Sequence, residues 1–171
     1  IIPRGPMGGA TFALPEKDRT MFTRRYCIAL LQVCFSGRIA EELFCDDISS
    51  GAQSDIEQAT RIARQMVLTW GMSDHLGPIS YGSDLGVKDA VYLMPSEREY
   101  SEKTAEAIDA EVKRIMDEAY QQAKILIEAN RDKLERVAQA LLKYETLDAE
   151  DVKIILDGGR LNKPTVGDLL A

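Results

Sequence analysis

A chain of 171 residues is long enough to bury a hydrophobic core, and its net charge of −7 excludes non-specific nucleic-acid binding, which needs a basic surface. The longest apolar stretch, residues 26–35 (YCIALLQVCF), contains Gln32 and is too short to span a bilayer, so we expect no membrane contact by this chain. The chain begins at Ile1 without a signal peptide, and we expect it to be part of a longer protein.

The N-terminal residues predict a strand followed by a helix. Glycines in residues 5–9 (GPMGG) indicate a turn, and the alternating residues 10–15 (ATFALP) indicate a short strand. A first helix is predicted from Thr23 to Phe44. It is apolar nearly all round in its first half, which is typical of a central buried element.

Three cysteines, Cys27, Cys34 and Cys45, lie seven and eleven residues apart on this helical segment. They lack the closely spaced pairs of a zinc site. We therefore interpret all three as small buried hydrophobic residues in a reducing compartment.

Two glutamates near the end of the first helix allow two interpretations. Arg38 precedes Glu41 and Glu42 by three and four residues, a spacing that suits a salt bridge on an exposed edge. Alternatively, Glu41, on the same face as Cys34, points inward as a carboxylate in the outer shell of a metal site. Position alone leaves both interpretations open.

The second predicted helix carries an aspartate, Asp55, on its apolar face. Small and apolar residues recur at steps of three and four: Ala52, Ile56, Ala59, Ile62, Ala63, Met66, Val67 and Trp70. Asp55 lies about 20° from Ile62 around the helix axis, inside this stripe. A carboxylate at such a place has to be protonated, paired with a cation or bound to a metal. The alternative is an ordinary acid in the first turn, stabilised by the helix dipole.

The ends of this second helix are predicted from local signals. Two overlapping capping boxes, Ser50 with Gln53 and Ser54 with Glu57, predict its start, and Gly71 predicts its end. Either box places Asp55 in the first two turns.

Residues 71–100 predict loop and short strands, because glycines recur in them, with a hairpin between residues 79–81 (ISY) and 91–93 (VYL). This segment contains the only histidine of the sequence, His75, which we interpret as a surface loop residue. The chain has no serine-elbow motif near His75 and no glycine-rich phosphate loop, so neither a serine-hydrolase triad nor a nucleotide site is predicted.

The C-terminal half predicts three further helices. A seam of apolar residues begins after Ser101 on a helix of about 28 residues: Ala105, Ile108, Val112, Ile115, Ala119, Ala123 and Leu126. Asn130 is expected to break this helix, and residues 132–144 to fold back on the seam as an intramolecular antiparallel hairpin over residues 101–144. A short helix follows from the cap Asp148 to about Leu156, and residues 158–171 are expected to form a mobile tail.

Several motifs together resemble one family. SGRIAEELF (36–44), SSGAQSDIEQATRIARQMV (49–67), WGMSDHLGPISYG (70–82), residues 100–127 and YETLDAEDV (144–152) follow one another as in the peptidase domain of FtsH, the membrane-bound AAA-coupled zinc metalloprotease. The resemblance runs from residue 1 to about residue 156. It differs at Ser36, where the family commonly has a glycine.

The resemblance implies a role for particular residues. Asp55 would be the third protein ligand of a catalytic zinc ion, and Glu41 a carboxylate close to the metal. An extended polypeptide substrate would pair with the edge strand, at Ala10, Thr11, Phe12, Ala13 and Leu14. The family's other two ligands and its general base lie in an H-E-x-x-H helix, and this sequence has no such motif. The resemblance thus implies that the motif lies upstream and that this chain alone is inactive.

The whole-protein properties that the resemblance implies are those of an ATP-dependent zinc endopeptidase. It would degrade unfolded or membrane proteins as a homo-hexamer, with ATP used by a module outside this chain. The chain would lie on the cytoplasmic, matrix or stroma side of a membrane-anchored protein. The predicted fold is mainly α, a helical metallopeptidase domain over residues 1–157 with a few short β-strands and a C-terminal helical hairpin. The alternative is a non-catalytic assembly or scaffold domain with the same fold.

Overall fold

The computed structural model describes residues 21–45, 47–82 and 100–164, and in these ranges the protein is mainly helical, as the sequence predicts. The helices are α1 (Arg24–Phe44), α2 (Gln53–Leu68), α3 (Glu102–Ala129), α4 (Arg131–Tyr144) and α5 (Ala149–Leu156), with a 3₁₀ turn at Ser50–Ala52. The described part of the chain contains no strand. Residues 79–81 are irregular, whereas the predicted strands at 10–15 and 91–93 lie outside the described residues.

Helix α1 begins where the sequence predicts. The Thr23 hydroxyl accepts a hydrogen bond from the amide of Tyr26, which satisfies one of the free N–H groups of the first turn. The buried residues lie on one face: Cys27, Leu31, Cys34, Phe35 and Ile39. The opposite side is open, because Val33 is 63% exposed. The prediction of a central buried element therefore holds for one face of the helix and is wrong for the face that carries Val33.

The cysteines do not all behave as predicted. Cys27 and Cys34 are buried within the apolar face of α1, and burial raises the pKa of both thiols. Cys45, by contrast, is exposed. It lies at the C-cap, one residue beyond the helix, where the periodicity that buries its neighbours has ended.

The described residues divide into two compact units, with the division at residue 126 inside α3. In the first unit, α1 packs on α2 and also contacts α3. The ring of Phe35 meets that of Tyr120 edge to face at 5.5 Å. Gln32 donates to Gln122 over 2.8 Å, and Glu42 accepts hydrogen bonds from Tyr120 and Lys124.

The apolar seam of α3 is buried, as expected of a core stripe, at Ile108, Val112, Ile115, Ala119 and Ala123, whereas Leu126, its last predicted member, is 60% exposed. The contacts of Tyr120 and Gln122 give α3 a partner in α1, which the sequence did not predict. The predicted hairpin of residues 101–144 would join α3 to a helix of the other unit. It stays a prediction, as do the domain limits at residues 157 and 158.

A buried carboxylate ties α3 to the loop after α2. Glu111 is only 4% exposed, and it accepts two hydrogen bonds from Arg114 and one from the hydroxyl of the buried Ser73, at 2.8 Å. The same hydroxyl accepts from the amides of His75 and Leu76. This network fixes the start of the loop at residues 73–76.

We expect Glu111→Ala to lower the free energy of unfolding by about 2 kcal/mol, because Ser73 and Arg114 lose a partner in a poorly hydrated place. For a chain of this size the melting temperature would fall by about 4–8 °C. Hydrogen bonds from Arg114, with a smaller effect from Ser73, hold the pKa of Glu111 below its usual value despite burial. The stabilisation is therefore complete above about pH 4.5 and disappears as the pH falls through the folded-state pKa.

Glu118→Ala is the matched control, because Glu118 is the exposed second partner of the same arginine. Its loss should change stability by no more than about 0.5 kcal/mol. Thermal melts of both variants between pH 3 and pH 7 make the comparison. Equal melting temperatures for the two variants at neutral pH would contradict the importance assigned to the buried contact.

The second unit contains α4, α5 and the residues that follow them. Asn130 interrupts the helices as predicted, and its side-chain amide donates to the carbonyl of Leu126. Asp148 caps α5, with a reciprocal hydrogen bond from its own amide to Asp151. Lys163 then donates to the carbonyl of Thr146 and pairs with Asp151, so the beginning of the predicted tail makes defined contacts.

Candidate functional site

Asp55 lies in the first turn of α2, as predicted, and is half-buried. Its negative charge contributes, after burial itself, to the raised pKa of the Cys34 thiol, which places the carboxylate beside α1. Among the described residues, none donates a hydrogen bond to Asp55 or forms an ion pair with it. The partner of this acid is therefore not a cationic side chain of the described ranges.

The turn that leads into α2 differs from the prediction. The Ser49 hydroxyl caps the 3₁₀ turn by accepting from the amide of Gly51, and α2 itself begins after Ala52 without a side-chain cap. The capping boxes predicted at Ser50 and Ser54 were both wrong. Which of the neighbouring serines acts as the cap depends on a contact with α1. The local sequence pattern carries no information about that contact.

That contact is made by Glu41. One carboxylate oxygen accepts the Ser49 amide at 3.0 Å and the other accepts the Ser49 hydroxyl at 2.6 Å. These hydrogen bonds lower the pKa of Glu41, with a smaller contribution from the positive charge of Arg38. Glu41 therefore joins the end of α1 to the start of α2, whereas its proximity to a metal stays a prediction.

Glu42 serves another contact. Its carboxylate accepts from the hydroxyl of Tyr120 and from Lys124 at 2.9 Å, both on α3. The predicted pairing of Arg38 with the two glutamates is replaced, in the described residues, by these partners on other elements. The two adjacent acids thus have separate tasks: Glu41 holds the turn before α2 and Glu42 holds α3.

His75 is exposed in the loop after α2, which confirms its interpretation as a surface residue. Its amide donates to Ser73, and its side chain is a minor contributor to the lowered pKa of Glu111 on α3. The proposed substrate strand, residues 10–14, lies outside the described residues.

These residues do not complete a zinc site. A catalytic zinc ion takes three protein ligands and leaves one position for water. No group of three or more histidine, cysteine, aspartate or glutamate side chains able to hold a metal occurs in the described ranges. Asp55 has the chemistry and the partial burial of one oxygen ligand, but it does not hold the ion by itself.

The described surface also has an open groove of about 600 Å³ between α1 and α3. Arginine, glutamine and apolar side chains line it: Arg24, Arg25, Ile28, Ala29, Gln32 and Gln122. None of these is a preferred zinc ligand. The candidate site for metal chemistry is therefore at Asp55 and not at this groove.

No helix in the described ranges is long and apolar enough to cross a bilayer.

A profile of peptidase family M41 matches residues 1–155. Similar proteins named ATP-dependent zinc metalloprotease FtsH include those of Chlamydia trachomatis serovar L2, 46% identical over 92% of this chain, and Myxococcus xanthus, 45% identical over 95%. The Bacillus subtilis protein of that name is 42% identical over 98%. The chain spans 17%, 26% and 26% of the lengths of these relatives.

Proposed function

Because this chain belongs to peptidase family M41, we propose that it forms part of the peptidase region of an ATP-dependent zinc metalloendopeptidase. The observation that carries the proposal is Asp55, a half-buried carboxylate without a partner among the described residues. It lies at the start of α2, which follows a turn hydrogen-bonded to α1. A half-buried acid that has no cationic partner among the described residues suits a metal ligand.

In this proposal Asp55 supplies one ligand, and two histidines from an H-E-x-x-H segment not contained in these 171 residues supply the others. When bound, zinc lowers the pKa of its water and thereby provides the nucleophile for peptide hydrolysis. Glu41 and Ser49 hold the turn that precedes the helix carrying Asp55. The chain alone is therefore inactive.

The substrates are unfolded or membrane-derived polypeptides, which pair as an added strand with residues 10–14. The complete protein is a membrane-anchored homo-hexamer in which a separate module uses ATP. This chain lies on its cytoplasmic, matrix or stroma side. The names of the relatives support ATP dependence, zinc and proteolysis, and the other assignments are supported by the family resemblance alone.

The test is a chimera in which the matched segment of the Bacillus subtilis relative is replaced by residues 1–171 of this chain. We expect the chimera to degrade an unfolded protein in the presence of ATP and to retain zinc. The isolated chain should lose zinc on dialysis, because one carboxylate does not replace a three-ligand site. Zinc content by atomic absorption and release of labelled peptides are the measurements.

Two results would contradict the proposal. An assembled chimera that hydrolyses ATP but cleaves no protein would favour a non-catalytic scaffold. Stoichiometric zinc in the isolated chain that resists a chelator would show a complete site within these residues and would overturn the assignment of ligands.

A further inference from the structure

The proposed ligand Asp55 is carried by a helix that lacks a side-chain cap of its own. Helix α2 begins at Gln53 directly after the 3₁₀ turn, and the amide of Gln53 bonds to the carbonyl of Ser50. The direction in which α2 starts is therefore set by this turn. Because Asp55 lies in the first turn of α2, whatever fixes the 3₁₀ turn also fixes the position of its carboxylate.

The Ser49 hydroxyl fixes the turn from both sides. It donates to Glu41 at 2.6 Å and accepts from the amide of Gly51 at 3.1 Å, so its proton and a lone pair are both used. The Ser49 amide also donates to Glu41, at 3.0 Å. Two hydrogen bonds thus join the carboxylate on α1 to Ser49, and a third joins the Ser49 hydroxyl to the amide of Gly51, immediately before α2. A bond to a charged acceptor is stronger than one between neutral groups.

The space around the hydroxyl is correspondingly tight. A Cβ atom at Gly51 would lie 3.2 Å from Ser49 Oγ and 3.9 Å from Glu41 Oε1. A side chain at residue 51 would therefore press on the hydrogen-bonded hydroxyl.

We propose that Ser49 is a positioning residue for metal binding, through which Glu41 sets the orientation of Asp55. The inference rests on the proposed function, because it has a consequence for chemistry only if Asp55 binds zinc. Ser49 does not touch the reacting atoms, and it acts through the turn.

The turn is tested first in the isolated 171-residue chain. In Ser49→Ala, the Gly51 amide loses its acceptor and should lose its protection from hydrogen exchange, measured by NMR. Ser50→Ala is the matched control, because Ser50 is the adjacent exposed serine and its hydroxyl takes no part in the three bonds. Ser49→Thr keeps the hydroxyl and should keep the protection.

The consequence is tested in the chimera by chelator competition. Ser49→Ala should weaken zinc affinity about 10–100-fold, the range found when groups that orient a ligand are removed. Proteolysis at saturating zinc should lose kcat with little change in KM for the polypeptide. Ser50→Ala and Ser49→Thr should retain the affinity of the parent chimera.

The outcomes separate this inference from the function on which it rests. A parent chimera without zinc or activity would overturn both. A parent chimera that is active, beside a Ser49→Ala variant with full zinc affinity or an unchanged Gly51 amide, would overturn the positioning role alone. Equal losses in Ser49→Ala and Ser50→Ala would also overturn it, since the effect would then be general damage to the turn.

Discussion

Asp55→Ala in the chimera is expected to lower ATP-dependent proteolysis by at least about 100-fold. Loss of a metal ligand lowers activity more than loss of a group that only orients a ligand, for which the decrease is about 10–100-fold. The zinc content of the purified variant should fall in parallel. The fold should remain, since removing an acid from the first turn of a helix costs only about 0.3–1 kcal/mol of dipole stabilisation. Circular dichroism and zinc analysis accompany the activity assay.

Glu57→Ala provides the matched control for this substitution. Glu57 lies on the same helix two residues later, is exposed, and bonds only to Gln53 among the described residues. It should keep both zinc and activity. If Asp55→Ala did the same, the acid would be an ordinary helix-start residue, and the proposed ligand role would be wrong.

Ile115→Asp is expected to destabilise the chain by about 4 kcal/mol or more, because the substitution places an unpaired charge in a packed seam. Ile115 is 2% exposed at the centre of α3. The seam is buried within a single copy of the chain, so the loss should appear as unfolding of the monomer. Thermal melting followed by sedimentation at several concentrations distinguishes unfolding from dissociation.

Gln121→Asp introduces the same charge on the exposed surface of α3 and is the control for helix propensity. It should change stability by less than about 1 kcal/mol. A variant at Ile115 that kept its melting temperature and lost only an oligomeric state would show that the seam belongs to an interface between copies. That result would contradict the burial described for α3.

The helices were predictable where their signals are local. Thr23 and Asp148 cap the helices that follow them, and Asn130 separates α3 from α4 at the predicted residue. Each of these signals acts within one helical turn, because a cap needs only the free amides next to it. The 28-residue helix α3 was also predictable from local signals. Apolar residues recur along it at steps of three and four over many turns, so single residues that break the pattern do not obscure the helical period.

The features that sequence reasoning missed depend on distant contacts. Ser49 is selected over two better-matching serines by Glu41, eight residues earlier, and Glu111 is buried because Ser73 lies against it from 38 residues away. A charged residue on a helix is usually predicted to face solvent. Its burial can be predicted only when its partner in the tertiary structure is known. The aromatic contact of Tyr120 with α1 is of the same kind.

For the candidate site, the sequence placed Asp55 on the correct element and with partial burial, but the ligand role itself came from family resemblance. The metal role of Glu41 also came from resemblance, and its observed contacts are structural. A stripe of apolar residues shows that a carboxylate is unusual at a position. It does not show whether the charge of that carboxylate is compensated by a cationic partner, by protonation or by a metal ion.

The contact between Glu41 and Ser49 has an evolutionary consequence. A carboxylate at position 41 is useful to this turn only while residue 49 offers a hydroxyl and an amide, and a bulkier residue 51 would displace that hydroxyl. Substitutions at these three positions are therefore coupled. Divergent lineages should exchange them together or keep them together, whereas the neighbouring Ser50, whose hydroxyl takes no part, is free to drift.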